Sequence, residues 1–184
     1  LSLGVDTLQA AWLQSQRQVT IPSTVFDPVD VTIRSLDPSA VRVASSPSAV
    51  GTAQIVTQVE GGTTNAAYWL SGVPGASGRT ALVVAEAAGY APDTMLVTVT
   101  RPAYTLSRSG TGALPASGGE DPVVVLTVGE NLGEGTLIPM AVSPGITPPD
   151  FTLRADQPTI ARVQFFASAV VVGADQGPAN TVTF

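Results

Sequence analysis

A stretch of 28 residues occurs twice in this chain of 184 residues, and the repeat constrains the fold more than any other feature of the sequence. Residues 23–50 align without gaps on residues 143–170, and eleven positions are identical. Chance would give roughly two identities at ordinary residue frequencies. The identical pairs are Ser23/Ser143, Pro28/Pro148, Asp30/Asp150, Thr32/Thr152, Arg34/Arg154, Pro38/Pro158, Arg42/Arg162, Val43/Val163, Ser48/Ser168, Ala49/Ala169 and Val50/Val170. Two related structural units are therefore expected.

The matched stretch carries the alternation of a half-buried β-strand. Apolar and polar residues alternate over residues 29–34, so one set of side chains would face a core and the other the solvent. Phe151 and Leu153 take the inward positions in the second copy. The repeat therefore predicts an equivalent strand in each unit.

A proline-containing turn follows each of these strands. Pro38 and Pro158 preset φ and remove a backbone donor, which ends a ladder of hydrogen bonds. Glycine and proline pairs punctuate the chain further on, as in Gly61-Gly62 and Pro74-Gly75. Further strands are expected at residues 40–44, 53–59, 66–71, 80–85, 94–100 and 160–165.

Composition favours many short strands over disorder. Only 12% of residues are charged, about half the usual share, while 18 glycines and 15 prolines separate segments rich in valine, threonine and alanine. About seven short strands with such turns between them predict an all-β, antiparallel β-sandwich. Residues 5–19 leave a helical turn open as an alternative, because Asp6 is a possible N-cap before helix-tolerant residues.

The spacing of the repeat divides the chain into three parts. We expect residues 1–103 to form a complete sandwich, residues 104–122 a Ser- and Gly-rich linker, and residues 123–184 the N-terminal part of a second sandwich. Counterparts of residues 70–102 are missing after Phe184, so the second repeat is expected to be incomplete. Either the chain continues in a longer protein, or a neighbouring subunit supplies strands by β-augmentation.

Three residue types that carry much enzyme chemistry are missing from this sequence. It has no histidine, no cysteine and no lysine, so that all eight cations are arginine. These absences exclude Ser-His-Asp and Cys-His triads, zinc sites with nitrogen or sulfur ligands, and Schiff-base chemistry. A pair of carboxylates, as in a hydrolase, or a carboxylate-bound metal is the chemistry that remains. We expect no enzymatic activity and no cofactor.

Charge and hydropathy argue against two kinds of partner. The formal net charge is -6 and the arginines are scattered, whereas a nucleic-acid surface needs clustered cations. The longest apolar runs are far shorter than the 18 or so residues that span a bilayer. Neither a nucleic acid nor a membrane span is therefore expected in this segment.

Three aromatic residues are candidate ligand contacts. Tyr68 and Trp69 are adjacent, and Trp12 could join them in a platform on which sugar rings stack. The alternative is that one of the two adjacent residues lies in the core and the other on an ordinary surface, because neighbours on a strand point to opposite faces.

Acidic residues near turns are candidate ligands for calcium, which prefers carboxylate and carbonyl oxygens. The candidates are Asp27, Asp30, Glu120 and Asp121. None of them fits the D-x-[DN]-x-[DN]-G loop pattern. Solvated turn carboxylates are therefore the alternative.

A further set of residues is expected to be structural. Arg34 and Arg42 recur as Arg154 and Arg162 beside the same turn, where cross-strand pairs with carboxylates are expected. Tyr90, in Ala88-Gly89-Tyr90, resembles the corner tyrosine of sandwich folds, whose hydroxyl ties a loop to the backbone.

Several segments, through the order in which they occur, resemble the tandem immunoglobulin-like repeats of large bacterial surface and secreted proteins, such as invasin- and intimin-type adhesins. The segments are Leu126-Thr127-Val128-Gly129, residues 31–38, residues 49–55, and Ala87-Ala88-Gly89-Tyr90 followed by residues 96–100. The resemblance implies an immunoglobulin-like sandwich, export to the bacterial surface or exterior, and a spacer or adhesive role in a fibre, appendage or adhesin. It implies adjacent repeats and surface glycans as partners, and no catalytic residues.

Two other functions stay open for a chain of this kind. One is a carbohydrate-binding accessory module of a secreted enzyme, and the other is a decoration domain of a virion or tail fibre. A glycan ligand at Trp69 would favour the first.

Overall fold

A computed structural model describes residues 1–108, 124–131, 137–147, 152–154, 166–167, 170–171 and 181–183. These residues form strands and turns, and there is no helix among them. The chain divides into two compact units, of which the first comprises residues 1–107 and 125–146, and the second residues 108–124 and 147–184. The all-β class expected from the sequence is confirmed.

Most of the described strands belong to the first unit. They are β1 (Thr7–Ala10), β2 (Leu13–Thr20), β3 (Val29–Ser35), β4 (Val41–Ala44), β5 (Gln54–Val59), β6 (Asn65–Gly72), β7 (Thr80–Glu86), β8 (Asp93–Thr100), β9 (Ala103–Arg108), β10 (Val124–Asn131), β11 (Leu137–Pro139) and β12 (Ala141–Val142). Four short strands follow, β13 (Thr152–Arg154), β14 (Phe166–Ala167), β15 (Val170–Val171) and β16 (Thr181–Thr183).

The strands of the first unit form three sheets. One has five strands in the order β1-β8-β7-β3-β5, a second has four in the order β12-β2-β6-β4, and a third has three in the order β11-β10-β9. The strand pairings whose register is described are antiparallel, with one exception. Strand β1 runs parallel to β8, with Thr7 opposite Val97 and Ala10 opposite Thr100.

The alternation read from the sequence is the alternation that the strands show. On β3, Val31 and Ile33 are fully buried, whereas Asp30 is exposed. Strands β4 to β8 begin and end within about a residue of the expected ranges. Both larger sheets contribute to the core, whose largest fully buried side chains are those of Tyr68, Leu13, Ile21, Ile33, Leu70, Met95, Gln9, Val19, Val31, Val41, Val43 and Val59.

The helical turn considered for residues 5–19 is wrong. The chain there forms β1, bends, and continues as β2 in a different sheet. The bend is at Trp12, whose φ of 53° lies in the left-handed region. Buried Gln9 holds the bend, since its Nε2 donates to the Leu13 carbonyl at 2.8 Å and its Oε1 accepts from the Ser15 hydroxyl at 2.6 Å. A continuous helix could not carry the chain from one sheet to the other within so short a segment.

Residues 125–146 lie with the first unit. Strand β12 pairs with β2, with Ala141 opposite Gln14, and the Ser143 amide donates to the Trp12 carbonyl at 3.0 Å. Strand β9 occupies the first residues of the expected linker. The sequence-based boundary at residue 123 between the linker and the second sandwich stays a prediction. Beyond that boundary, β12 pairs with the edge of β2.

The second copy of the repeat is described in part. Strand β13 covers Thr152–Arg154, the positions equivalent to residues 32–34 of β3. It pairs antiparallel with β16, as β3 pairs antiparallel with β5. Pro158 and the strand expected at residues 160–165 lie outside the described residues.

Candidate functional site

Two adjacent aromatic residues of β6 point to opposite sides of the four-stranded sheet. Tyr68 faces the core and is 0% exposed, while Trp69 is half-buried on the other face. The cross-strand neighbours of Trp69 are Gln16 on β2 and Ala44 on β4. Side chains directly opposite each other on neighbouring strands share a face, so Trp69 lies in the row that these three residues form.

Tyr68 is enclosed by the protein. Burial raises the pKa of its phenol to about 12, with the Arg17 guanidinium acting in the opposite direction. Its hydroxyl makes no hydrogen bond to a residue that the structure describes. A neutral, enclosed phenol cannot stack on a surface ligand, so Tyr68 is a core residue.

Trp12 lies at the bend between β1 and β2 and is 5% exposed. Its amide donates to the Gly72 carbonyl at 2.6 Å. A Cβ atom on Gly72 would overlap the carbonyl oxygen of Ala10, so glycine is needed where β6 passes the bend. The three aromatic residues therefore do not form one platform, and Trp69 is the one that a ligand can reach.

A groove of about 400 Å³ lies beside Trp69 in the first unit. It is bounded by β2, by Trp69, by a proline of the loop after β4, and by the chain from β11 to β12. The lining residues are Gln14, Ser15, Gln16, Arg17, Pro47, Trp69, Ile138, Pro139, Met140 and Ala141. The groove thus brings together residues that are far apart in the sequence, from Gln14 to Ala141.

Amide groups are the main polar feature of this groove. Gln14 is 7% exposed, and its Nε2 donates to the Pro47 carbonyl at 2.8 Å. Its Oε1 has no hydrogen-bond partner among the described residues. The neighbouring Gln16 is exposed. The Trp69 ring beside the exposed amide of Gln16 suits the apolar face and hydroxyls of a sugar ring.

None of the described residues that line the groove carries a carboxylate. General acid–base chemistry needs a titratable group within hydrogen-bond reach of the reacting atoms. The hydroxyl of Ser15 is engaged with Gln9. The described lining residues therefore offer no carboxylate to act as an acid or base.

The calcium candidates are not brought together by the part of the chain that the structure describes. Asp27 and Asp30 are exposed, and the Asp30 carboxylate accepts a hydrogen bond from Gln58 Nε2 at 2.9 Å. Within the described ranges there is no group of three or more acidic, histidine or cysteine side chains that could hold a metal ion. Glu120 and Asp121 lie outside those ranges.

Two recurring arginines have described side chains. Arg34 forms a 3.2 Å ion pair with Glu86 on the neighbouring strand β7, and Arg42 Nε donates to the Pro38 carbonyl at 3.3 Å. Arg154 lies on β13, and Arg162 lies outside the described residues. Both described arginines bond to the protein itself, Arg34 to a carboxylate as expected and Arg42 to a carbonyl instead, and their structural role stays a prediction.

The turn at Pro38 contains an ion pair that the sequence analysis missed. The Asp37 carboxylate accepts from the Ser39 hydroxyl at 2.6 Å and from Arg79 Nη2 at 2.6 Å. The Ser39 hydrogen bond, with the Arg79 charge, lowers the pKa of Asp37. An Asp-x-Ser turn signal is present in the sequence, but no local pattern indicates a partner 42 residues away.

Tyr90 is half-buried in the turn between β7 and β8. Its amide donates to the Ala87 carbonyl at 3.2 Å. The role of its hydroxyl as a corner tie stays a prediction.

No model of a known protein family matches this chain, and no curated protein is significantly similar to it. Among the residues that the structure describes, there is also no helix of the length and hydropathy that crossing a bilayer requires. Function is therefore argued from the geometry.

Proposed function

We propose that this chain is a non-enzymatic structural module of a bacterial surface fibre, appendage or adhesin, and that its first unit is an immunoglobulin-like β-sandwich acting as a spacer. The strand order supports the fold. In the seven-stranded immunoglobulin arrangement, strands B-E-D lie in one sheet and strands C-F-G in the other. Taking β2, β3 and β4 as B, C and D, and β6, β7 and β8 as E, F and G, gives both orders.

Three further strands extend that arrangement. Strand β5 lies between β4 and β6 in the chain and adds to the edge of β3, while β12 lies beside β2, where the first strand A would be. Strand β1 pairs with β8 in the other sheet. The proposed sandwich therefore has a core of six strands, B to G, with β5, β12 and β1 as additional edge strands.

The parallel pairing of β1 with β8 is the observation that carries the spacer role. Parallel strands place the start of β1 and the end of β8 at opposite ends of the pair, so a force that separates these two points acts along the strands. The hydrogen bonds from Thr7 to Ala10, and that from the Ala11 amide to the Thr100 carbonyl at 2.9 Å, would be loaded together. Bonds that break together resist force better than bonds that open one by one.

Single-molecule stretching of the full chain, held at its two ends, tests this role. We expect the first unit to unfold in one step that releases roughly 300 Å of chain, because the residues from β1 to β8 are freed together. Gradual extension without such a step would contradict the proposal.

Two proline variants make this test specific. The Thr7 amide faces β8, as the Ala11 amide does, whereas the Leu8 carbonyl faces the other way and accepts from Arg17 Nη2 at 3.3 Å. Proline removes a backbone donor. We expect Thr7→Pro to lower the unfolding force and the matched control Leu8→Pro to lower it much less. Equal losses would contradict loading through the ladder between β1 and β8.

A second candidate function is the binding of a carbohydrate, favoured by the groove beside Trp69. The half-buried indole and the exposed amide of Gln16 offer the two kinds of contact that sugar rings make. We expect a hit on a glycan array that is accompanied by a change in Trp69 fluorescence.

Matched variants at Trp69 distinguish stacking from simple packing. Trp69→Ala should abolish the binding, while Trp69→Phe keeps an aromatic face and should retain part of it. Binding that is unchanged in Trp69→Ala, or no binding by the wild type across the array, would exclude this candidate.

A further inference from the structure

Strand β5 is the last strand of the five-stranded sheet, and no described strand pairs with its outer edge. The Ser35 amide donates to the Ala53 carbonyl at 2.9 Å, and backbone groups alternate along a strand. Residues 53, 55, 57 and 59 therefore bond to β3, while those of Gln54, Val56 and Gln58 face away. None of the amides of these three residues, nor the carbonyls of Val56 and Gln58, bonds to a described residue.

The edge of β5 also lacks the usual protection against pairing. Natural edge strands carry charges, prolines or bulges that prevent another strand from adding. The sequence of β5 is Gln-Ile-Val-Thr-Gln-Val, with neither a charge nor a proline. Val56, at its centre, is 55% exposed. An uncharged, β-branched edge of this kind is a template for a further strand.

Other edges of the two larger sheets are partly occupied, and that of β4 is bonded at Val43 to Thr52. The edge of β2 is bonded at one end to Ser2, through two 2.8 Å hydrogen bonds with Thr20, and is paired at the other end with β12. Beyond β1, Arg17 Nη2 covers the Leu8 carbonyl. Among the described strands, β5 thus offers the longest run of free edge groups in its sheet.

We propose that β5 is a self-association site, where β5 of a second copy pairs antiparallel about a two-fold axis at Val56. The three edge-facing residues read Gln-Val-Gln in either direction. In this register Val56 lies opposite Val56 of the partner subunit, and Gln54 lies opposite Gln58 of the partner subunit. Such an interface is isologous, because the same patch serves both copies, and it joins two five-stranded sheets into one.

Charge also favours the antiparallel arrangement. On the exposed face of the sheet, Arg34 is the cross-strand neighbour of Gln54, and Asp30 is the neighbour of Gln58. In the antiparallel pair, the row that contains Arg34 continues into the row that contains Asp30 of the partner subunit. A parallel pair in register would instead align like charges. The proposed pairing of β5 with a second copy does not depend on the spacer role of the first unit.

Cysteine cross-linking tests the proposed axis. The protein has no cysteine, so Val56→Cys introduces one thiol at the axis. Facing Cα atoms in a hydrogen-bonded antiparallel pair are about 5.5 Å apart, within the range that a disulfide spans. The matched control is Leu82→Cys, which places a similarly exposed side chain on the same face of the sheet but on the interior strand β7.

We expect mild oxidation of dilute protein to convert most of the Val56→Cys variant to a covalent dimer, at least tenfold faster than the Leu82→Cys variant. Equal rates for the two variants would overturn the proposal. A faster reaction at Val56 that disappears in denaturant would support it, because the rate would then depend on the folded pairing.

Sedimentation equilibrium tests the same interface without cross-linking. The wild type should approach twice 18.7 kDa with rising concentration. Val56→Pro should stay monomeric, because it removes an edge-facing amide that bonds to nothing in β3. Val56→Lys, which places two like charges at the axis, should do the same. Val56→Thr keeps the amide and the β-branched shape, so it should associate like the wild type.

Each outcome decides the proposal. A wild type that remains at 18.7 kDa up to about 1 mM overturns it. So does association that persists unchanged in Val56→Pro and Val56→Lys, because another surface would then be responsible. The melting temperatures of the variants check that a monomer is a folded monomer.

Discussion

The two faces of the four-stranded sheet differ more than the sequence of its strands suggests. One face is closed, and Tyr68 and Leu70 on it are fully buried. The other face is partly open, with Trp69 beside a groove and Gln16 exposed. Successive residues of a strand point to opposite faces. Tyr68 therefore packs in the core, whereas the next residue, Trp69, can contact a ligand.

The largest expected effect compares Tyr68→Ala with Trp69→Ala. Removing the fully buried ring leaves a cavity and should cost about 3–5 kcal/mol of the free energy of unfolding. Removing the half-buried indole should cost less, because part of its ring already faces the solvent. Urea denaturation measures both, and equal losses would contradict the difference between the faces.

Alkaline pH sharpens the same comparison. The pKa of Tyr68 is raised from an ordinary value of 10.0 to about 12, so the folded state holds a proton that the unfolded state releases. This contribution is fully present below pH 10 and is lost as the pH rises towards 12, by roughly 3 kcal/mol. Tyr68→Phe should lack this loss, and its persistence in that variant would assign it to another group.

Tyr68→Phe near neutral pH should have a smaller effect. A buried hydroxyl that lacks a partner costs the folded state its desolvation. Since the Tyr68 hydroxyl bonds to no described residue, we expect the variant to be unchanged or more stable by about 1 kcal/mol. A loss of similar size in thermal denaturation would indicate a hydrogen bond to this hydroxyl.

The smallest expected effect belongs to the exposed turn at Asp37. Its pKa is lowered below 3.8 by Ser39 and Arg79, so its contribution to stability is present above pH 3.8 and disappears as the pH falls through the lowered pKa. Asp37→Asn should therefore be slightly less stable than the wild type at pH 7 and equal to it in strong acid. A difference that grows in acid would contradict this sign.

The alternation of apolar and polar residues predicted β3 to β8, because each of these strands buries one face and turns separate one strand from the next. It failed over residues 5–19, where helix-tolerant residues form β1 and β2. There the hydrogen bonds of Gln9 and the change of sheet at Trp12 outweigh local preference. Tertiary context overrides propensity in such segments.

The groove could not be predicted from the sequence, for a different reason. Trp69 was a candidate because of its residue type, but Met140 and Ala141 meet it only through the pairing of β12 with β2. The ion pair between Asp37 and Arg79 has the same origin, since a turn pattern shows one partner and not the other. Contacts between distant segments leave no local signature.

The central claim is that a strand-rich unit was duplicated and that both copies keep its pairing. Amide hydrogen exchange followed by NMR on the full chain tests it at four residues. Val31 and Ile33 face β5 through their backbone groups, and the aligned residues are Phe151 and Leu153. We predict slow exchange at all four amides. Rapid exchange at Phe151 and Leu153, with slow exchange at Val31 and Ile33, would contradict the claim.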